Sequence, residues 1–144
     1  MALEKLSGKV VKKGKDVDLS EFDVVGLYFS AHWCPPCRGF TPELAKFYET
    51  PGERAPGTKF EIVFISSDRD QGSFDEYYGE MPWAALKFDE RDTKTELAGM
   101  FQVRGIPTLV ILDGKTGETL DAQARNTVME MIDAKDFNKD KWGK

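Results

Sequence analysis

The sequence predicts an α/β fold, a central mixed β-sheet with helices on both faces. Three observations lead there. Apolar, β-prone runs at residues 24–30 and 60–65 alternate with amphipathic stretches of helical period. That is the pattern of right-handed βαβ units with parallel strands. A third run, Thr108-Leu109-Val110-Ile111-Leu112, is followed by Asp113-Gly114-Lys115-Thr116-Gly117, a hairpin turn that sends the next strand back antiparallel. The only two cysteines, Cys34 and Cys37, stand where the first apolar run hands over to the first helix.

The chain has 144 residues, enough for one domain with a real core. No repeat, low-complexity tract or linker divides it, so residues 1–144 read as a single domain. Residues 1–23 form a lead-in. Within it, Lys9-Val10-Val11-Lys12 reads as a short edge strand whose lysines discourage edge-to-edge pairing. Gly14 and the stretch from Asp16 to Glu21 read as turn and loop. Val24 to Ser30 reads as a strand buried on both faces, as parallel central strands are. Gly26 weakens that reading. The following helix carries Cys37, Phe40, Leu44, Phe47 and Tyr48 largely on one face. Pro35 and Pro36 fall in its first turn, where a missing N–H costs little. Pro42 lies deeper and should kink the helix by removing the bond to the Arg38 carbonyl. Gly52, Pro56 and Gly57 end it.

Phe60 to Ile65 is the second strand. Ser66-Ser67-Asp68-Arg69-Asp70 should lie at its carboxyl end, the sheet edge where sites form in open α/β folds. A short helix is expected over 73–79, starting near Gly72 or Ser73, and Met81-Pro82-Trp83 breaks it. Leu86-Lys87-Phe88 reads as a short strand or extended loop. A helix over 92–101 has Leu97, Met100 and Phe101 as its apolar side. Glu118-Thr119-Leu120 begins the return strand, and residues 122–132 make the last helix. Residues 135–144 are charged and read as a frayed tail.

Hydrophobic residues make up 40% and charged residues 31%, an ordinary balance for a soluble protein. The net charge of -5 argues against a general nucleic-acid role, which wants a basic face. No apolar stretch approaches the ~20 residues needed to cross a membrane, and the N-terminus lacks a hydrophobic signal core. Two cysteines, close together and suited to redox chemistry, fit a reducing compartment. A cytoplasmic monomer is the expectation.

The cysteine pair carries the chemistry. The thiolate is the nucleophile, and a helix N-terminus presents unpaired N–H groups and a positive dipole end that stabilise it. Cys34 precedes the helix and is assigned as attacking nucleophile. Cys37, one turn further in, is assigned as resolving thiol. Cys34 would attack a disulfide sulfur, and Cys37 would release the mixed disulfide. No metal or organic cofactor is needed. Zinc is the competing reading, but it normally takes four ligands, and only His32 accompanies the two cysteines. A permanent structural disulfide is the other, but so short a loop constrains the unfolded chain very little. The Cys34-Pro35-Pro36-Cys37 loop is stiffened by its two prolines, which also remove two backbone donors. Trp33 offers a flat apolar face beside the sulfur, or simply packs. His32 would shuttle protons or, more simply, sit solvated at the surface. Pro107 opens a strand. It would serve either strand entry alone or, as a cis proline, bring the Ile106 backbone beside the sulfurs to pair with an extended substrate.

The segment Trp33-Cys34-Pro35-Pro36-Cys37-Arg38-Gly39-Phe40-Thr41-Pro42 resembles the active-site segment of tryparedoxins and nucleoredoxins, within the thioredoxin superfamily. The similarity continues through Leu27-Tyr28-Phe29-Ser30, Phe60 to Arg69, Met81-Pro82-Trp83, Ile106-Pro107-Thr108-Leu109 and Gln123-Ala124-Arg125, and covers roughly residues 24–128. The Trp-Cys-Pro-Pro-Cys core with the downstream Met-Pro-Trp is specific, whereas Cys-x-x-Cys alone is not. The resemblance implies a thioredoxin-like three-layer fold and a thiol–disulfide oxidoreductase that reduces protein disulfides. It implies Cys34 as nucleophile and Pro107 as the cis proline. In tryparedoxins the reductant is the low-molecular-weight dithiol trypanothione, and electrons pass to peroxiredoxin-type peroxidases, so these are the implied partners. Arg125 matches a family arginine placed to meet the reductant, with a solvated helix charge as its plainer reading. Trp33, Ile106, Pro107 and Arg125 are thus the candidate substrate-binding residues, and Pro35, Pro36, Tyr28 and Asp68 the candidate supports. Tyr28 stands where ordinary thioredoxins have a buried aspartate. Tryparedoxins carry Trp-Asp-Glu where this chain has Ser67, Asp68 and Arg69, and Ser66-Ser67-Asp68-Arg69 looks more like nucleoredoxins. Those are usually longer and multidomain, whereas this chain is short like a tryparedoxin. The alternative function is therefore a nucleoredoxin-like reductase, or a redox-sensitive module whose cysteine pair switches its affinity for a partner.

Overall fold

Strand β3, Val24–Ser30, is buried along its whole length and sits at the middle of the sheet. The computed structural model of the chain describes residues 6, 8–48 and 60–134. The expected turn residues Gly52, Pro56 and Gly57 and the tail at 135–144 lie outside the described residues. In chain order the elements are β1 Val10–Lys12, β2 Lys15–Asp16, a 3-10 turn at Leu19–Glu21, β3, α1 Pro35–Tyr48, β4 Phe60–Ser66 and α2 Gln71–Tyr78. Then come β5 Ala84–Leu86, α3 Arg91–Met100, β6 Thr108–Asp113, β7 Thr119–Asp121 and α4 Ala124–Ala134.

The strands form one seven-stranded sheet in the order β2-β1-β5-β4-β3-β6-β7. β3 pairs parallel with β4, from Val24 opposite Phe60 to Ser30 opposite Ser66. On its other side it pairs antiparallel with β6, from Val24 opposite Asp113 to Phe29 opposite Thr108. β4 and β5 are parallel, and the remaining pairs are antiparallel. Alternation along the strands then divides the core in two. Tyr28, Ile62, Phe64, Leu109 and Ile111 face α1, α2 and α4, through side chains such as Phe40, Leu44, Tyr77 and Val128. Leu27, Phe29, Val63, Ile65 and Val110 face the other way, onto Leu97 of α3. This is the mixed sheet with helices on both faces.

The lead-in is the main departure from expectation. Leu6, Val10 and Leu19 belong to the second core cluster, and β1 is not an edge strand, because it pairs with β2 on one side and β5 on the other. Lysines do not decide this. Lys12 reaches inward, its Nζ 3.1 Å from the Glu61 carboxylate and 2.8 Å from the Tyr48 hydroxyl oxygen. Glu61 is only 2% exposed and needs that partner. Burial pulls the Lys12 pKa down, but Tyr48 and Glu61 outweigh it and hold the ammonium more tightly protonated. We expect Lys12→Met to lower the unfolding free energy by about 2 kcal/mol, less than for a fully buried pair because Lys12 is partly solvated. Urea denaturation checks it, and an unchanged midpoint would mean that Glu61 finds its compensation elsewhere.

Smaller differences have local causes. The second short helix begins two residues before Ser73, because Asp70 caps it by accepting the Ser73 N–H at 2.7 Å. β5 is Ala84–Leu86 rather than residues 86–88, since Val63 and Phe64 pair with Ala84 and Ala85. α1 runs unbroken across Pro42. Gly26 sits in a strand interior because a Cβ there would come within 3.2 Å of Ile111 and 3.3 Å of Leu109. At the hairpin, the Gly114 N–H donates to the Asp23 carbonyl at 2.7 Å, and a Cβ would fall 2.0 Å from the Phe22 carbonyl oxygen. Among the described residues no helix is long and apolar enough to cross a membrane.

Candidate active site

β3 ends at Ser30, and the chain turns once before α1. The Cys34 N–H donates to the Ala31 carbonyl at 3.2 Å, and the Cys34 carbonyl accepts the Arg38 N–H at 3.1 Å. Cys34 is thereby held immediately before the helix. It is joined to Cys37 by a disulfide with Cα atoms 5.2 Å apart. Cys34 is 4% exposed, Cys37 fully buried. Pro35 and Pro36, both exposed, have no N–H to give, so the first amide of the helix is that of Cys37. It points at Cys34 Sγ at 3.3 Å. A donor there, with the helix dipole behind it, favours a thiolate on Cys34 once the disulfide opens.

The Ile106–Pro107 peptide is cis. The Ile106 carbonyl oxygen lies 3.8 Å from Cys34 Sγ, and the Ile106 side chain packs against Ala31, Cys34 and Cys37. Pro107, Arg104, Gly105, Gln123 and Arg125 line a groove of about 550 Å³. The Arg125 guanidinium also lies over the Phe40 ring, 5.9 Å from its centre.

Trp33 is 54% exposed beside the pair. Its indole N–H donates to the Ser67 carbonyl at 3.0 Å, and the Arg69 guanidinium stands 5.8 Å over its ring. Beneath it, the buried Asp68 carboxylate accepts the His32 N–H at 2.7 Å and the Ser66 hydroxyl at 2.7 Å. Ser66 Oγ in turn accepts the Asp68 N–H at 2.9 Å. Arg91 donates to the Ser66 carbonyl at 2.9 Å and to the Phe88 carbonyl. Burial lowers the Arg91 pKa, with Asp68 and Asp89 opposing it. His32 is half-buried rather than fully solvated, its ring 5.6 Å from that of Tyr77.

Tyr28 meets the site from inside the core, through the carbonyl of Cys37 rather than a sulfur. Thr41 Oγ1 donates its single proton to that carbonyl at 2.9 Å. Thr41 Oγ1 also lies 2.6 Å from Tyr28 OH and 2.5 Å from Tyr77 OH, Tyr77 OH lies 2.8 Å from Ser30 Oγ, and Tyr28 OH itself reaches the Cys37 carbonyl at 3.4 Å. Four hydroxyls are thus linked in one network to the Cys37 carbonyl. Burial, and next the neighbouring Tyr77, push the Tyr28 pKa well above the ordinary tyrosine value, and burial also raises Tyr48 and Tyr78. The sign follows from linkage. Unfolded tyrosines ionise near pH 10 and these folded ones only above it, so their contribution is fully present below about pH 10 and is lost as pH rises further. We expect urea midpoints that hold steady from pH 7 to 9 and fall above pH 10. Tyr28→Phe should make that fall shallower, and an equally steep fall would mean that Tyr28 ionises as readily folded as unfolded.

Thr41, Tyr77, Arg91 and Arg104 join the site without having been singled out in the sequence, whereas Ser66 falls in the segment expected at the carboxyl end of β4. Of the four, only Thr41 left a trace in the sequence, four residues after Cys37 and so one turn above it. Among the described residues no group of three or more His, Cys, Asp or Glu side chains is placed to hold a metal ion.

A family profile described as Thioredoxin-like matches residues 21–119, and the chain belongs to that family. Within it, tryparedoxin of Trypanosoma brucei brucei is 46% identical over 130 residues, which are 89% of this chain and 88% of that protein. Probable nucleoredoxin 1 of Arabidopsis thaliana is 54% identical over 111 residues, 74% of this chain but only 18% of that longer protein. The solved structure of tryparedoxin II complexed with glutathionylspermidine superposes with a TM-score of 0.84 at 39% identity, covering 95% of this chain and 97% of that one. With its Cys34–Cys37 pair, the chain is a thiol–disulfide oxidoreductase related to both tryparedoxins and nucleoredoxins.

Proposed function

We propose that the chain reduces protein disulfides in the tryparedoxin manner, with Cys34 as attacking thiolate and Cys37 as resolving thiol. Cys34 attacks one sulfur of the substrate disulfide, and the other leaves as a thiolate that takes a proton from solvent. Cys37 then attacks Cys34 Sγ in the mixed disulfide, freeing the second substrate thiol. Two electrons have moved to the substrate, and the Cys34–Cys37 disulfide remains for an external dithiol to reduce. The observation that carries this reading is a backbone donor, the Cys37 N–H, aimed at Cys34 Sγ. The cis Pro107 loop supports a substrate role for Ile106, whose backbone would pair with an extended chain beside the sulfur. Trp33 would cover the attacked disulfide, Arg125 would meet the reductant, and Pro35, Pro36, Tyr28 and Asp68 would hold the frame. The cycle draws on no metal or organic cofactor.

A low-molecular-weight dithiol such as trypanothione is the reductant in this reading, and a peroxiredoxin-type peroxidase the acceptor. The solved tryparedoxin bound to glutathionylspermidine supports a thiol of that kind. The chain would act as one domain, as a monomer, in a reducing compartment such as the cytoplasm. The second reading is a nucleoredoxin-like reductase or redox-sensitive binding module, favoured by Arg69 standing over Trp33 where tryparedoxins carry an acid.

The test is turnover of a disulfide substrate under two reducing systems, trypanothione with its reductase and thioredoxin reductase with NADPH. We expect the first to drive it. Turnover by the second alone would move the protein to the nucleoredoxin side. Failure of both, with the disulfide still opened by a chemical dithiol, would favour the binding module.

A further inference from the structure

We propose that the rim of the disulfide is a docking surface for an acidic, extended segment of the disulfide-bearing protein, read by Arg38, Arg69, Arg104 and Arg125. This rests on the thiol–disulfide reading above and names the kind of protein that it serves. The chain as a whole is acidic, with 25 Asp and Glu against 20 Lys and Arg. Four of its arginines nonetheless gather around the disulfide. All four arginines are exposed. Arg38 follows Cys37 directly. Arg69 stands over Trp33, the neighbour of Cys34. Arg104 and Arg125 line the groove that contains the cis Pro107, and none of the described residues lining that groove is a carboxylate.

The topology spreads these cations across the sulfur. Cys34 follows the end of β3, whose neighbours are β4 and β6. Arg69 comes after β4 and Arg104 before β6, so they flank the β3 end on opposite sides. Most nearby acids are tied to neutral donors of the fold, which fix their direction without cancelling their charge, so the arginines rather than the acids are free to turn toward a partner. Asp68 is buried on His32 and Ser66, Asp70 caps Ser73, and Asp121 accepts from Gln123 and Thr127. Glu80 is the exception, lining a second cleft with Arg38.

Pairing with the Ile106 backbone would recognise an extended chain but no particular side chain. Selectivity must then come from what flanks it, and here the flanks are guanidinium forks, which match carboxylates in bidentate geometry. Arg69 over Trp33 and Arg125 over Phe40 are held against aromatic faces, so less freedom is lost when their N–H groups meet a partner. Screening confines charge effects to about 10 Å at ordinary ionic strength, so an approaching partner senses this local cluster rather than the net charge.

Three disulfide-bridged peptides test this, identical around the disulfide and flanked by Asp/Glu, by Lys/Arg or by neutral residues. We expect kcat/KM for the acidic peptide to exceed that for the basic one by about tenfold or more at low salt, and the gap to close at high salt. In the Arg69→Glu, Arg104→Glu double variant the acidic-to-basic ratio should collapse or invert, and taking the ratio within one variant removes any change in its intrinsic activity. The single variants Arg69→Gln and Arg104→Gln should each lower the ratio part-way. Equal rates for the three peptides, or a preference untouched by the reversals, would overturn the docking surface while leaving the oxidoreductase in place. No turnover of any peptide by the wild-type protein would overturn both.

Discussion

Cys34→Ser should reduce protein-disulfide turnover to the uncatalysed background, and Cys37→Ser should stop the cycle half-way, as a mixed disulfide with the substrate. The asymmetry is structural. Both sulfurs lie low in the surface, but Cys37 is fully enclosed, and its own amide points at Cys34. The sulfur that receives the N–H is the one whose anion is stabilised. It is also the one beside the Ile106 carbonyl, where an extended substrate would lie. A serine hydroxyl at position 34 has neither the acidity nor the nucleophilicity to attack a disulfide. At position 37 it leaves the first attack intact and cannot displace the substrate from Cys34. Non-reducing electrophoresis and intact mass read the trap directly as an adduct of the two chains, released by added dithiol. Near-normal reduction by Cys34→Ser, or a trap formed by that variant instead, would reverse the assignment.

The legibility of this site follows the range of its interactions. The cysteines, the prolines between them and the strand entry at Ile106-Pro107 were readable because backbone chemistry at those positions depends on near neighbours. β3 and β4 were readable because strands buried on both faces are predominantly apolar, with Glu61 the one charged exception in the two. β1 was misread as an edge because its outer neighbour, β2, is only Lys15–Asp16, two exposed polar residues with no apolar signal, while its inner contacts lie far along the chain. Val10 faces Leu86, and Lys12 finds Glu61. The hydroxyl network on the Cys37 carbonyl was hidden for the same reason. Tyr77 is 36 residues from Thr41, in a helix whose apolar side is mostly core. Arg69 was legible as part of the segment at the carboxyl end of β4 and as a departure from the tryparedoxin pattern, but not as a partner of Trp33. Its place over Trp33 depends on how the end of β4 lies against the turn after β3.

That same junction gives the other large effect. Asp68→Ala should lower the unfolding free energy by about 3 kcal/mol, the scale for breaking a buried charged network by removing one partner. Alanine leaves the His32 N–H and the Ser66 hydroxyl without the acceptor they now share, and withdraws a countercharge from the half-buried Arg91. It also unties the turn that carries Trp33 from the segment after β4, leaving the indole bond to the Ser67 carbonyl and the Ser67 N–H bond to the Ser30 carbonyl to hold the two together. Asp68→Asn is the discriminating variant, because its amide oxygen still accepts the His32 N–H. It should cost about 1 kcal/mol. If Asp68 positions the active-site turn, alanine should slow disulfide turnover and shift Trp33 emission, while asparagine largely restores both. If it serves stability alone, alanine will lower the denaturation midpoint while turnover by the folded protein, measured well below that midpoint, stays at the wild-type rate.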